Sequence, residues 1–306
     1  MNCLVTGGTG FIGSHLVDHL LELKNKVIII DNNASGNREN LKQHNKNKQL
    51  KIHEQNITEN IQNIFDQETI DYIFHLAALP RVQFSIAYPA ETHTVNVEGT
   101  FNLLNHARKN KVKRFIFSSS SSVYGDQNEL PLHEGMVPQP MSPYALHKLI
   151  GEHYCTLFYK LYSIETISLR YFNVYGPRQN PSGEYANLIP KFIKIIKEKK
   201  QPTIFGNGEQ TRDFTFVRDV VTANICAATT TNHECFGKAF NIGSGKDISV
   251  NNVFRKIREA LNISTEAVHA LPVTEPQHTR ASLTRSSTLL NWKPTVPFEI
   301  GLQQCL

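Results

Sequence analysis

The chain has 306 residues, 40% of them hydrophobic and 19% charged, with a formal net charge of +5. That length supports one large core or two lobes around a shared site, and so mild a charge does not imply nucleic acid. Five cysteines (Cys3, Cys155, Cys226, Cys235 and Cys305) are scattered with no Cys-x-x-Cys, which fits a reduced, cytoplasmic protein. No apolar run approaches the ~18 residues of a membrane span, and the first residues already read as a core strand, so no cleavable signal is expected.

Asn2 to Thr6 is a short apolar run that stops at Gly7-Gly-Thr-Gly10. Phe11, Ile12, Leu16, Leu20 and Leu23 then recur at helical spacing, and Val27 to Ile30 forms a second apolar run closed by Asp31-Asn32-Asn33. Strand, glycine turn, helix and strand make one βαβ unit. The lysine- and asparagine-rich stretch from Asn37 to Lys51 reads either as a solvated surface segment or as a phosphate-binding arm. Tyr72 to Leu76, Arg114 to Ser118 and Thr166 to Leu169 are further buried-strand candidates, separated by helical stretches near Ala90 to Lys109 and Ala145 to Tyr162. Continuous apolar strands alternating with helices predict an α/β fold with a doubly wound parallel sheet. After about Gly176, Pro177, Pro181 and Gly183 mark a loop and the elements shorten. The expected division is a dinucleotide-binding domain over 1–175, with a returning strand at 236–247, and a smaller lobe over 176–235 and 248–306.

Glycines 7, 10 and 13 follow a strand and open a helix. Gly7 permits a tight turn, Gly10 a close approach of backbone to a pyrophosphate, and Gly13 the packing of helix on strand. The helix N-terminus offers N–H groups to the phosphates. Asp31, at the end of the second strand, can accept both adenosine ribose hydroxyls and would repel a 2′-phosphate, which predicts NAD over NADP. His75-Leu76-Ala77-Ala78 supplies small residues where a flat cofactor can lie. His75 has no metal-ligand partner at useful spacing, so it reads as structural and no catalytic metal is expected.

The sequence Phe115-Ile-Phe-Ser118-Ser-Ser120-Ser121-Ser-Val-Tyr-Gly125 reads as a strand running into a hydroxyl-rich loop at the end of the sheet where ligands bind. Downstream, Tyr144 and Lys148 are four residues apart, about one helical turn, and share a face. At ~4 Å and an effective dielectric of ~20, their interaction is worth about 4 kcal/mol. That is enough to bring a phenol from ~10 toward neutrality.

With these residues in place the chain resembles the extended short-chain dehydrogenase/reductases over nearly its full length. Within them it is similar to the UDP-hexose 4-epimerases, above all those acting on UDP-N-acetylglucosamine. The resemblance implies Tyr144 as catalytic base, Lys148 as its partner and ribose ligand, and Ser120, with Ser121 as the other candidate, as the hydroxyl on the sugar O4. It implies an NAD site lined by Gly7, Gly10, Phe11, Ile12, Gly13, Asp31, Asn32, Asn56, Ile57, Leu76, Ala77, Ala78, Asn96, Ser118, Tyr144, Lys148 and Tyr171, with Phe172 nearby. On the substrate side it implies Arg81, Ser120, Tyr144, Asn173 at the pyrophosphate, Asn187, Leu188 and Phe205 at the uridine, and Arg212 on the diphosphate. A homodimer is implied through the two long helices, in keeping with the apolar Leu146, Leu149, Ile150, Leu157, Phe158 and Leu161.

Two departures from the family pattern matter. Asn56-Ile57 stands where the family has Asp-Ile, and Leu271-Pro-Val273-Thr274-Glu-Pro276 lacks the arginine of Arg-Pro-Gly-Asp; Arg280 is the candidate replacement. Thr279 falls where the family closes one wall of the sugar pocket. Its small size implies room for an N-acetyl group, hence UDP-GlcNAc/UDP-GalNAc, with UDP-Glc/UDP-Gal also accepted. No carboxylate sits in the serine loop, unlike the 4,6-dehydratases and UDP-glucuronate decarboxylases. A UDP-glucuronate 4-epimerase needs no such acid and stays open, as does a non-catalytic NAD-binding scaffold, because fold alone does not give function.

Overall fold

Strands covered on both faces must be apolar at successive positions, each face taking every second residue. Seven strands form the sheet, all but the edge strand β3 largely buried: β1 (Asn2–Thr6), β2 (Lys26–Asp31), β3 (Leu50–Glu54), β4 (Tyr72–His75), β5 (Arg114–Ser120), β6 (Glu165–Tyr171) and β7 (Lys238–Ile242). Cys3, Val5, Val27, Ile29 and Phe74 point into one core, whereas Leu4, Ile28, Ile30, Ile73, Phe115 and Phe117 point into the other. The strands lie in the order β3-β2-β1-β4-β5-β6-β7, and every neighbouring pair is parallel. The expected doubly wound α/β sheet is therefore present.

The computed structural model describes residues 1–182, 187–272 and 275–306; Gly183, Val273 and Thr274 of the sequence reading lie outside them. The principal helices are α1 (Phe11–Glu22), α2 (Gly99–Lys109), α3 (Pro143–Tyr162), α4 (Leu188–Lys197), α5 (Val217–Thr229) and α6 (Val250–Leu261). Leu16 and Leu20 of α1 join Val220, Ala223 and Ala227 of α5 on one face of the sheet. Leu103, Leu104 and Ala107 of α2 join Cys155 and Phe158 of α3 on the other. Among the described residues no helix is long and apolar enough to cross a membrane.

Two expectations change in detail. The helix expected over 90–109 is three pieces: Pro89–His93, a π-turn over Thr94–Glu98, and α2. The span 176–235 is not all lobe, because α5 falls within it and packs on α1 and the sheet. Burial decides this: the small and β-branched residues of α5 fit a sheet surface. β7 pairs with β6 from Lys238↔Ile167 to Ile242↔Tyr171. A third core holds Ile189, Phe192 and Ile196 of α4 with Val253, Phe254 and Ile257 of α6. This lobe also carries two small sheets, Thr203–Phe205 with Val268–Ala270 and Thr211–Asp213 with Asp247–Ser249.

Candidate active site

Strand order reverses between β1 and β4, and in open sheets of this kind the crevice at the carboxyl ends takes the ligand. Here the ends of β1, β2, β4, β5 and β6 open on one cavity of about 1850 Å³, closed on its far side by the lobe. Ordinary small-molecule sites measure roughly 300–1,000 Å³, so this volume has room for a dinucleotide and a second nucleotide together.

The glycine turn is built as its sequence requires. Gly7 takes φ +73°, and a Cβ on Gly13 would lie 2.0 Å from the Gly7 carbonyl oxygen. Helix α1 begins at Phe11 with no side-chain cap, so its first-turn N–H groups face the cavity wall as a phosphate cradle. Asp31 is fixed at the end of β2: Oδ2 accepts the Thr9 N–H at 2.9 Å and Oδ1 the Asn33 N–H at 2.8 Å. Gly10, Phe11, Ile12, Asn32, Asn56, Ile57, Leu76, Ala77 and Ala78 line the same end. A backbone cradle, a carboxylate and a wall of small residues together fit NAD.

His75 lies behind this wall. The Thr100 hydroxyl donates to the Asn96 carbonyl at 2.7 Å, so it accepts from His75 Nε2 at 2.9 Å. Nδ1 then accepts from the Thr6 hydroxyl at 2.8 Å, and Thr6 in turn receives the Ala77 N–H at 3.2 Å. Burial pushes the imidazole down to about 3. It is a neutral strut that sets the backbone of Ala77.

Ser142 caps α3 by accepting the Ala145 N–H at 3.2 Å, with Pro143 in the first turn. The Tyr144 N–H is pinned by the Ser85 hydroxyl at 3.0 Å. Ser120, whose Oγ accepts from Ser122 Oγ at 2.9 Å, stands close enough to the Tyr144 phenol to favour its ionised form. Ser121 lines the cavity beside it, but the serine that acts on the Tyr144 phenol is Ser120. Lys148 Nζ donates to the Ser118 carbonyl at 2.7 Å and lies 5.8 Å from the centre of the Tyr144 ring.

The expected fall of the Tyr144 pKa toward neutrality is corrected here. In the protein alone burial raises it to about 12, opposed only by the nearby Ser120 hydroxyl. Lys148, also buried, is pushed down to about 8. Taking charge out of water outweighs the pair attraction when the ammonium is turned to a carbonyl.

At the other end Arg81, Asn173, Asn187, Leu188, Phe205, Arg212 and Thr279 line the cavity, and Ser118 and Tyr171 lie on its floor. Arg212 Nη2 pairs with Glu275 at 2.9 Å, while Nη1 donates to the Thr211 and Gln277 carbonyls. Asn173, at φ +23°, gives its Nδ2 to the Asp213 carbonyl at 3.1 Å. The buried Thr279 Oγ1 has no hydrogen-bond partner in the protein.

Three expected residues are not brought to the wall. Asn96 is buried with its amide closed on Leu79, donating at 3.1 Å and accepting at 2.8 Å. Arg280 turns to Asp247 at 3.6 Å. Phe172 is fully buried beside Tyr124. Conversely, Glu275 and Ser85 were not singled out from sequence. Glu275 had a signal, a carboxylate four residues before Thr279; Ser85 had none.

The family profile described as "NAD dependent epimerase/dehydratase family" matches residues 3–243. Among solved structures, the UDP-N-acetylglucosamine 4-epimerase of Methanobrevibacter ruminantium M1, in complex with UDP-N-acetylmuramic acid, is 37% identical with a TM-score of 0.94, over 99% of this chain and 96% of that one. The UDP-glucose 4-epimerase of Thermotoga maritima, with UDP-glucose, is 38% identical with a TM-score of 0.93, over 99% and 97%. The UDP-glucuronic acid 4-epimerase of Bacillus cereus, in complex with UDP-glucuronic acid and NAD, is 34% identical with a TM-score of 0.92, again over 99% and 97%. A cradle at Gly7 to Gly13, a carboxylate at Asp31 and a tyrosine–lysine helix facing a serine strand are thus found on a chain that belongs to the NAD dependent epimerase/dehydratase family.

Proposed function

We propose that this protein is a UDP-sugar 4-epimerase that inverts C4 through a 4-keto sugar. The observation that carries the reading is that Tyr144, Lys148 and Ser120 line the same cavity as the glycine turn and Asp31. NAD, when bound, supplies a reversible hydride acceptor at the sugar's C4. Tyr144 takes the proton of the 4-hydroxyl and later returns one, while Ser120 holds O4. Lys148 fixes the end of β5 through Ser118, and its positive charge favours the phenolate. Arg212 clamps the diphosphate once its ion pair with Glu275 gives way to phosphate oxygens. Asn187, Leu188 and Phe205 hold the uridine.

For the sugar we propose UDP-GlcNAc/UDP-GalNAc, with UDP-Glc/UDP-Gal also turned over. Thr279 supports this: it is small and lines the cavity, which leaves room for an N-acetyl group. UDP-glucuronate is the second reading, favoured by the likeness to the Bacillus cereus enzyme. The serine loop presents hydroxyls and no carboxylate, which disfavours dehydration and decarboxylation.

The proposed assembly is a cytoplasmic homodimer. Its support is an apolar strip of Phe101, Leu146, Leu157, Leu161 and Tyr162 on α2 and α3, between 43% and 61% exposed, and five free cysteines. The deciding experiment incubates purified protein with UDP-GlcNAc, UDP-Glc or UDP-glucuronate without added reductant and separates the products. UDP-GalNAc as the faster product supports the reading; no C4 epimer from any of the three would sink it.

A further inference from the structure

Glu152 is a buried carboxylate that the mechanism above does not use. It lies one turn beyond Lys148 on α3, so Tyr144, Lys148 and Glu152 form one row at four-residue spacing. Its Oε1 accepts the Ser119 hydroxyl at 2.5 Å and Arg170 Nε at 2.9 Å, and its Oε2 accepts Arg170 Nη2 at 2.7 Å. Ser119 stands between Ser118, whose carbonyl takes the Lys148 ammonium, and Ser120, which acts on the phenol. One carboxylate therefore grips the middle of the three-residue segment that both members of the pair touch.

We propose that Glu152 is a positioning residue with two tasks: it holds the Ser118–Ser120 segment in register with Tyr144, and its charge keeps Lys148 protonated. The idea rests on the epimerase reading and adds a residue to it.

The surroundings of Lys148 leave Glu152 alone in the second task. On its own helix Lys148 has Tyr144, His147, Glu152 and Cys155 near it, and from β4 it has His75. From β5 it meets the Phe117 ring and the Ser118 carbonyl, and Arg170 of β6 stands behind Glu152. Burial pushes the Tyr144 and Cys155 protons well up and the His75 and His147 protons down, so these four are neutral at working pH. Glu152 is the negative charge that remains in that set. Against the downward push of burial on Lys148 the upward influences are Cys155, which burial keeps as a neutral thiol, and Glu152. Neutralising it would also leave Arg170 as an uncompensated cation in the same core, one whose Nη1 already lacks a partner, and so push in the same direction.

The test compares Glu152→Gln and Ser119→Ala with wild-type enzyme, each with its bound NAD quantified. Kinetics are followed with the UDP-sugar that the wild-type enzyme turns over. Glu152→Gln keeps the shape and removes the charge; the alkaline limb of kcat/KM is expected to move acid-ward by about one pH unit. Ser119→Ala removes the grip and keeps the charge; kcat is expected to fall about tenfold with the limb unmoved. A purely structural carboxylate would not split the effects in this way. An unmoved limb in Glu152→Gln overturns the proposal, as does wild-type kcat in Ser119→Ala; the second decides it alone if the first variant does not fold. Absence of turnover by the wild-type enzyme would instead sink the functional reading.

Discussion

Lys148 hands its ammonium to the Ser118 carbonyl across 2.7 Å rather than to the Tyr144 phenol one turn earlier. The tyrosine has Ser120 beside it instead, so two residues of one strand, separated by Ser119, hold the two members of the pair apart. Activation of the phenol then depends on what enters the cavity, since the protein alone leaves it protonated.

Removing the phenolic oxygen separates chemistry from binding. Tyr144→Phe is expected to lower kcat by about 10³-fold or more while purified protein still carries NAD, released and measured after denaturation. Full activity in that variant would refute the assignment of the base.

The depressed Lys148 makes stability and activity move oppositely with pH. The unfolded chain keeps this proton up to the ordinary value of 10.5, whereas the folded one releases it near 8. Between those values the unfolded state binds more protons, so stability rises with pH and is lost again as pH falls through the folded value. The urea midpoint of the wild-type protein should therefore climb relative to Lys148→Met between about pH 8 and 10, as wild-type turnover declines. Parallel midpoints for the two proteins would contradict this.

Arg212 is expected to act on ground-state binding. A charge-assisted hydrogen bond is worth about 1.5–3 kcal/mol, so Arg212→Ala should raise KM for the UDP-sugar at least about tenfold and change kcat little. Steady-state kinetics and titration with UDP check the split; an unchanged KM would remove Arg212 from the diphosphate site.

Thr279 is open to a steric test. Thr279→Tyr should fill the wall where the acetamido group is placed, lowering the ratio of UDP-GlcNAc to UDP-Glc turnover by about tenfold or more. Competition assays with both sugars would show it, and an unaltered ratio would move the specificity wall elsewhere.

Much of this architecture was legible in the residues. The alternation of Leu4 and Val5 between two cores is implicit in an unbroken apolar run, and the shared face of Tyr144 and Lys148 follows from helical pitch. The first βαβ unit announces itself through Gly7, Gly13 and Asp31. What escaped depends on distant partners. Tyr144 was expected to ease toward neutrality because spacing reveals an ammonium nearby but not the burial that opposes it. Asn96 was expected at the cofactor, yet the π-turn over Thr94–Glu98 aims its amide at Leu79, and no local pattern signals that turn. Arg212 meets Glu275 from another segment of the lobe. Helix α5 looks like any amphipathic segment after Gly176, and only its packing on α1 assigns it to the sheet.

The course of the chain through β7 carries a consequence for how the protein is made. Until Ile242 has been synthesised, the outer edge of β6 has no neighbour and its backbone groups remain open for pairing. By then Leu188 to Phe216, with α4 and much of the opposite wall, has already been produced. The strand that completes the sheet thus lies beyond α4 in the chain, and a fragment ending near Gly176 would leave the β6 edge unpaired.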